Sequence, residues 1–292
     1  MPQISTTGQL ENAAKEMIDT ARYTSEHEAP VTAAVSQFTL RKGEDTGVFP
    51  KVGQMVVNGL NEGQDMITEQ DINMTTVSVT TSEVGGKVIL SDKLLRENTQ
   101  NIMQIVGRQL GDAMKRKRER DIIALFSALN GGTTYGSAGT TFSASNATGV
   151  VSTAITDKVG TDGSMTIIQH PNAVSALARD VATIGSGTVR PLPEGLSSRL
   201  VGSAFRGIVI WSCPVLQTAE IDRDGSDDAI GAILSKDALG VLSQLQPSTE
   251  KQRDASLRAW ELNIVSDYAA FELDDTRGVS LTYDAADPST TA

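Results

Sequence analysis

Gly86-Lys87-Val88-Ile89-Leu90-Ser91-Asp92 opens the stretch that decides the fold, and Asn130-Gly131-Gly132 closes it. The opening residues are a short apolar run, read as a strand. Ser91 follows as a helix N-cap, with Asp92 in the first helical turn. Asn98 or Thr99 offers a second cap, which makes 92–97 a separate turn. Helix formers then dominate to Leu129, and no proline interrupts the chain before Pro171. Ile102, Val106, Leu110 and Met114 recur at i, i+4 with Ala113 beside them, and Ile122, Leu125 and Leu129 resume the stripe. Asn130 and the two glycines end it, because glycine takes the left-handed cap without steric penalty. About 31 residues predict a rod of roughly 46 Å, long for a globular helix.

The rod carries Lys115-Arg116-Lys117-Arg118-Glu119-Arg120-Asp121. At 100° per residue, Lys115, Arg116, Glu119 and Arg120 fall opposite the apolar stripe, while Lys117, Arg118 and Asp121 fall close to it. Lys117 and Asp121 stand at i, i+4 and can pair, in the weaker orientation. Two readings of the basic face stand side by side. One is a solvated or inter-subunit salt-bridged face. The other is a face toward a polyanion, favoured by counterion release.

Composition bounds the rest. The chain has 292 residues, 39% hydrophobic and 21% charged, with a net charge of −11. That is enough chain for one large domain or two ordinary ones and for a sizeable core. The acidic balance argues against a freely diffusing nucleic-acid binder, although 91–129 holds eight Lys/Arg against five Asp/Glu. One cysteine, Cys213, excludes an intrachain disulfide framework and fits a reducing compartment. No apolar run reaches the roughly 18 residues of a membrane span. The start, Met1-Pro2-Gln3, shows no secretory signal.

On the N-terminal side, Leu10, Ala13, Ala14, Met17, Ile18 and Ala21 form a thin helical face that needs a docking surface. Residues 34–40 read as a strand. Residues 41–71 differ in kind: Gly and Pro are frequent, no helical period holds, and Val48, Phe49, Met55, Val57, Leu60 and Met66 are scattered along them. Lys42-Gly43-Glu44-Asp45 is a turn between two β-like runs, so 41–71 is expected to be a long hairpin arm. A lone hairpin cannot bury both faces, so it folds back or reaches another chain. Residues 73–81 alternate as a half-buried strand that can pair with 84–90.

Beyond Gly132, residues 133–161 read as loop with short elements. A strand is expected at 165–168, a turn at His170-Pro171-Asn172, a helix at 173–181 and a loop at 186–198. Further strands are expected at 207–211 and 230–234, separated by the acidic turn 222–228. This alternation predicts a compact α/β part inserted after the long helix. Runs at 259–265, 268–273 and 278–283 are expected to return to the first sheet. The polar tail 284–292 is expected to be loose.

Little in the chain suggests chemistry. His27 and His170 lack partners at metal spacing, and Cys213 stands in a strand-to-proline step. The glycines after Gly131 lack the Gly-Lys-Ser/Thr of a phosphate loop. A Gly-x-Ser-x-Gly elbow is absent. Asp222, Asp224, Asp227 and Asp228 cluster, but the glycine stands fourth where an EF-hand loop puts it sixth. No catalytic set, cofactor or metal is expected.

The order of parts resembles the major capsid protein of tailed bacteriophages, the family with the HK97-type fold. The resemblance rests on the helical N-terminal part, the hairpin with Gly47-Val48-Phe49-Pro50-Lys51, and Ile89-Leu90-Ser91-Asp92-Lys93-Leu94-Leu95. It continues through the long helix with Asp121 near its end, Gln169-His170-Pro171-Asn172, Phe205-Arg206-Gly207-Ile208-Val209, Asp267-Tyr268-Ala269-Ala270-Phe271 and the run from Gly278 to Ala285. It implies an α+β chain divided into an N-arm (1–40), an E-loop (41–71) and a P-domain with its spine helix (72–132). An A-domain (133–245) and the returning P-domain strands with the C-terminal tail (246–292) complete it.

The resemblance implies a structural protein, not an enzyme, that assembles with itself as hexamers and pentamers into an icosahedral shell around phage double-stranded DNA. The E-loop residues Val48, Phe49, Pro50, Lys51, Met55, Val57, Leu60 and Met66 are then expected on a neighbouring subunit, with N-arm contacts at Leu10, Met17 and Ile18. Lys115, Arg116 and Arg120 are a possible inward basic face, and Asp222, Asp224, Asp227 and Asp228 are placed at the A-domain rim. Some members join the E-loop to a neighbour through a lysine–asparagine bond; Lys51 corresponds by position only, and that chemistry is not carried over. The family's long scaffolding segment has no counterpart, so a separate scaffold and a portal are expected, with a cement protein left open as a further partner, and no membrane. The expected location is the virion, after assembly in the host bacterial cytoplasm. An encapsulin, a cellular compartment of the same fold enclosing a cargo enzyme, is the alternative. A metabolic enzyme stands third.

Overall fold

The computed structural model describes residues 29–52, 59, 62, 74–97, 102–160, 165–184, 208–211 and 213–288. Leu10, Met17 and Ile18 of the N-terminal helix lie outside them. So do Met55, Val57, Leu60 and Met66 of the arm, His27, Phe205 to Gly207 and the loop expected at 186–198.

Two sheets share one long helix. The first has the order β1 (Ser36–Thr39), β10 (Leu239–Asp254), β11 (Ala259–Glu272), β4 (Ser82–Ser91). Along β11, Leu262, Ile264, Ser266 and Tyr268 are buried and alternate with half-exposed residues, as one covered face requires. After β4, the Ser91 hydroxyl accepts the Leu94 N–H at 3.3 Å and caps α1 (Asp92–Glu97). The long helix α2 (Ile102–Ile123) then packs Ile102, Met103 and Val106 with Leu90, Leu94 and Leu262. Its far end belongs to another core. Met114 and Ile122 are buried with Phe126 and Leu129, among the side chains of the second sheet.

The helix is shorter than expected, with 22 residues or about 33 Å. The segment Phe126–Gly132 begins as a 3-10 turn and leaves helical geometry at Leu129, whose ψ is 142°. Phe126 and Leu129 stand three apart and both are fully buried; a 3-10 turn eclipses i and i+3, so both enter one core. The expected left-handed exit is there, with positive φ at Asn130, Gly131 and Gly132.

The second sheet runs β5 (Thr134–Thr141), β12 (Gly278–Asp284), β9 (Asp228–Ser235), β6 (Met165–Gln169), β8 (Cys213–Gln217), β7 (Ile208–Ile210). Helix α3 (Ala144–Thr156), in a stretch expected to be mostly loop, buries Ala147, Val150, Val151 and Ala154 in its core. The Ser143 hydroxyl caps that helix by accepting the Asn146 N–H at 3.2 Å. Helix α4 (Pro171–Ile184) adds Ala173, Val174 and Leu177. Gly231 lies so close to the neighbouring strand that a Cβ there would stand 2.2 Å from the Ile168 carbonyl oxygen. Gly231→Ala is therefore expected to cost about 1–3 kcal/mol, read as a melting point lower by several degrees.

Four expectations need correction. The run 278–283 does not return to the first sheet: β12 joins the second, between β5 and β9. Both its faces are buried, as for an inner strand. The tail is held as far as Asp287. Ala285 donates its N–H to the Asp227 carbonyl at 2.8 Å, and the Asp287 carboxylate accepts from Asn172 and Arg223, each at 3.0 Å. Residues 73–81 do not pair with 84–90, since β3 (Met74–Thr80) pairs with β2 (Thr46–Val52) while β4 pairs with β11. The turn at Lys42–Asp45 leads from β1 in the first sheet into the arm, so the arm is the ribbon β2–β3 and its return strand lies past residue 71.

Candidate functional site

The ribbon β2–β3 has two unlike faces, because side chains alternate along each strand. Gly47, Phe49 and Lys51 share one face with their partners Val79, Val77 and Thr75. Phe49 packs against Phe38 of β1 and Phe271 of β11, with both ring centroids 4.8 Å away. Val79, Leu242 and Phe271 are the buried centre of this cluster, with Val77, Leu40 and Leu273 around them. Thus Phe49, expected on a neighbouring subunit, is an anchor on its own first sheet. Gly47 permits this approach, for a Cβ there would stand 2.8 Å from Leu242 Cδ2.

The opposite face carries Val48, Pro50 and Val52 with their partners Ser78, Thr76 and Met74. Val48, Val52 and Met74 are 58%, 56% and 57% exposed. Three exposed apolar side chains on one face of a two-stranded ribbon are a surface in search of a partner. Pro50 suits such a ribbon, since it lacks the N–H that an added inner strand would need.

Lys51 points to Asp274, in the turn between β11 and β12, with the ammonium 2.5 Å from Oδ1. Burial pushes the Asp274 carboxyl up, but hydrogen bonds from Lys51 and from Thr276 outweigh it and hold the group below the usual carboxylate range. A depressed carboxyl contributes stability above its ordinary titration range and loses it as pH falls through the lowered value. The pair is therefore closed at neutral pH and opens only in acid.

The basic stretch of the long helix is more heavily paired than its sequence implies. Lys115 meets Asp112 at 3.2 Å, and Lys117 pairs with Asp121. Arg120 Nε donates to Glu220 Oε2 at 2.6 Å, and its other end lies 4.0 Å from Asp222. The Glu220 hydrogen bond raises the Arg120 pKa. Arg118 is half-buried, its guanidinium 5.8 Å from the Tyr268 ring centre and hydrogen-bonded to Ser243 at 3.3 Å. The Tyr268 hydroxyl donates to Asp121 at 2.8 Å.

Glu119, expected opposite the stripe, is only 1% exposed. The reason is geometric. Each i, i+4 step turns 400°, so the stripe advances about 40° per step and about 200° between Ile102 and Ile122. By the last turns it has rotated onto Glu119, and Lys117 has rotated out.

The acidic turn lies against the end of that helix, around a groove of about 410 Å³ lined by Arg120, Ile123, Glu220, Arg223 and Ile230 among others. Its carboxylates divide by role. Asp222 is exposed, and Asp227 pairs with Arg223 at 3.2 Å. Asp224 accepts the N–H groups of Ser226 and Asp228 at 2.8 and 2.9 Å. Asp228, placed at the rim by the sequence reading, is 5% exposed and accepts the Gly139 N–H at 2.7 Å.

The residues most able to do chemistry are used in packing. Cys213 is buried, and burial pushes its thiol up. His170 accepts the Asn172 N–H at 3.2 Å, and burial lowers its pKa. Among the described residues no three His, Cys, Asp or Glu are placed to hold a metal ion. The sequence reading missed Phe38, Phe271 and Asp274. Only Asp274 left a local signal, an Asp two residues before Thr276 at a helix-cap position.

The sequence matches the family model of the phage capsid protein over residues 74–281. Comparison with curated proteins finds no match. Among solved structures, the chain is similar to the capsid of cyanophage Pam1, with 12% identity, a TM-score of 0.67, and 99% of this chain and 100% of that one covered. The capsid of the native GTA particle gives 12% identity and a TM-score of 0.67, covering 92% and 95%. The holo-SrpI encapsulin complex from Synechococcus elongatus PCC 7942 gives 12% and 0.65, covering 100% of both. At such identities the likeness is one of fold.

Proposed function

The chain belongs to the phage capsid protein family, and from that premise we propose that it builds an icosahedral shell of hexamers and pentamers around phage double-stranded DNA. It is a structural protein of the virion with the HK97-type α+β fold. The observation that carries the proposal is the family match, which runs from the return strand of the arm through the long helix and both sheets to β12. In this reading the outer strip of the arm (Val48, Pro50, Val52) meets a neighbouring copy, and so do Met55, Val57, Leu60 and Met66, which lie outside the described residues. Leu10, Met17 and Ile18 make the N-arm contacts. The second sheet surrounds the symmetry axes, with Asp222, Asp224 and Asp227 the exposed carboxylates of its acidic turn. A separate scaffold and a portal are its proposed partners, and the host bacterial cytoplasm its place of assembly.

The purified protein, with its scaffold supplied, is expected to give closed particles by negative stain and nuclease-protected DNA when taken from infected cells. A monodisperse monomer at high concentration under those conditions overturns the proposal. The encapsulin reading rests on likeness of fold to the holo-SrpI encapsulin complex, which the Pam1 capsid matches in coverage and slightly exceeds in TM-score. It predicts particles that hold a protein cargo and no protected nucleic acid.

Of the proposed inward basic face Lys115, Arg116 and Arg120, Lys115 pairs with Asp112 within the helix and Arg120 with Glu220 of the acidic turn, so the substitutions are made at Lys115 and Arg116, which leaves the Arg120–Glu220 contact intact. Lys115→Ala with Arg116→Ala is expected to leave shell formation unchanged and to lower the DNA packaged per particle, measured by absorbance ratio. Normal packaging in that double variant returns the face to the solvated reading.

A further inference from the structure

The turn between β11 and β12 carries adjacent carboxylates that reach in opposite directions. Asp274 takes the Lys51 ammonium of the arm at 2.5 Å. Asp275 Oδ2 accepts the N–H of Gly131, in the left-handed exit that follows the long helix, at 3.0 Å. Asp274 is also fixed from its own side. Its Oδ1 accepts the Thr276 N–H and hydroxyl at 3.1 and 2.8 Å, and Arg277 Nε lies 3.7 Å from Oδ2. The carboxylate is therefore a rigid part of the body, tied to the end of the long helix through its neighbour.

Two contacts of different kinds meet at the root of the arm. The rings of Phe38, Phe49 and Phe271 hold it by apolar packing, which falls off gradually as rings slide past one another. The Lys51–Asp274 bond is charge-assisted and directional. The Lys51 side chain is 42% exposed, so the pair adds little to folding stability. Direction is what it can supply.

We infer that Asp274 is the positioning residue of the arm: through Lys51 it sets the angle at which the ribbon leaves its own sheet before a neighbouring copy is met. The inference rests on the reading of the ribbon as an assembly arm. A free ribbon would sample many angles, most of them unable to reach a neighbour, whereas a preset one meets its site in nearly its final orientation.

The test uses the full chain kept unassembled, with spin labels at Val48→Cys and Ile155→Cys, both exposed positions on the arm and on α3. Pulsed EPR is expected to give one narrow distance distribution in the parent. Lys51→Met and Asp274→Asn should broaden or shift it, and Lys51→Arg should keep it narrow. Asparagine still caps Thr276, so the turn itself survives in Asp274→Asn. The melting temperature of the unassembled variants should stay at the parent value, while the initial rate of shell formation falls about five-fold. An unchanged distribution in both Lys51→Met and Asp274→Asn overturns the assignment, and so does a lowered melting point without a change in distance. Because the distance is read before assembly, these outcomes are separate from a failure of the parent to form shells, which would strike at the assembly reading instead.

Discussion

A chain in which residues 53–73 are replaced by Asn-Gly is expected to fold, to melt close to the parent temperature, and to form no closed shells. Val52 and Met74 are paired partners at the end of the described ribbon, so a two-residue turn of the Asn-Gly kind can join them without changing the register. The aromatic cluster at Phe49 and the Lys51–Asp274 pair stay intact. What is removed includes Met55, Val57, Leu60 and Met66, each worth about 1.5–3 kcal/mol if buried against a neighbour. A few such anchors per contact, repeated around a shell, decide whether it closes. A wider excision of 44–66, which the sequence alone makes attractive, is a poorer experiment. It would take Phe49 from between Phe38 and Phe271 and cost about 2–3 kcal/mol of the chain's own stability. Thermal melting and particle imaging on the narrow variant decide the matter. Normal assembly makes residues 53–73 dispensable, and failure to fold makes them part of the core; either result defeats the reading of the ribbon as an inter-subunit arm.

Local patterns in the sequence located the elements well where one face is apolar. The apolar run at 86–90, the cap at Ser91 and the left-handed exit at Asn130 are each properties of neighbouring residues, and each is found. Pairing is not local, and there the sequence misled. Residues 74–80 alternate equally well whether they pair with β4 or β2, and nothing in their own composition chooses. Strand β10 was missed for a related reason. Its outer half, Gln-Pro-Ser-Thr-Glu-Lys-Gln-Arg, extends past the end of β1 and is exposed on both faces, so it carries no apolar alternation. Glu119 was misplaced because a stripe drawn at one helical level was extended without its rotation. For the candidate site, the arm was legible as unlike the rest of the chain, but which of its faces looks inward was not. That depends on Phe38 and Phe271, which come from two other strands, one of them more than 200 residues away.

The same limit sets up the largest expected effect. A chain ending at Arg277 is expected to lose the cooperative fold of the second sheet altogether, although it keeps all of residues 133–245, which the sequence reads as an inserted unit. Strand β12 stands between β5 and β9, parallel to one and antiparallel to the other. Its removal leaves two inner edges without ladder partners, and buried backbone groups without partners are costly. It also takes Val279, Leu281 and Tyr283 from the core, at 0%, 0% and 2% exposure. Three such side chains are worth about 5–9 kcal/mol together, comparable to the roughly 5–15 kcal/mol of a whole domain. Leu281→Ala provides the graded version and should cost about 2–5 kcal/mol. Far-UV circular dichroism and thermal melting of the two variants give the test. If the chain ending at Arg277 keeps the parent spectrum and a single cooperative transition, then β12 is an accessory to a self-sufficient inserted domain. If it unfolds while Leu281→Ala melts lower but cooperatively, the insertion is not a domain in the folding sense. Its sheet is then closed only by a strand that arrives after the chain has crossed the first sheet and come back.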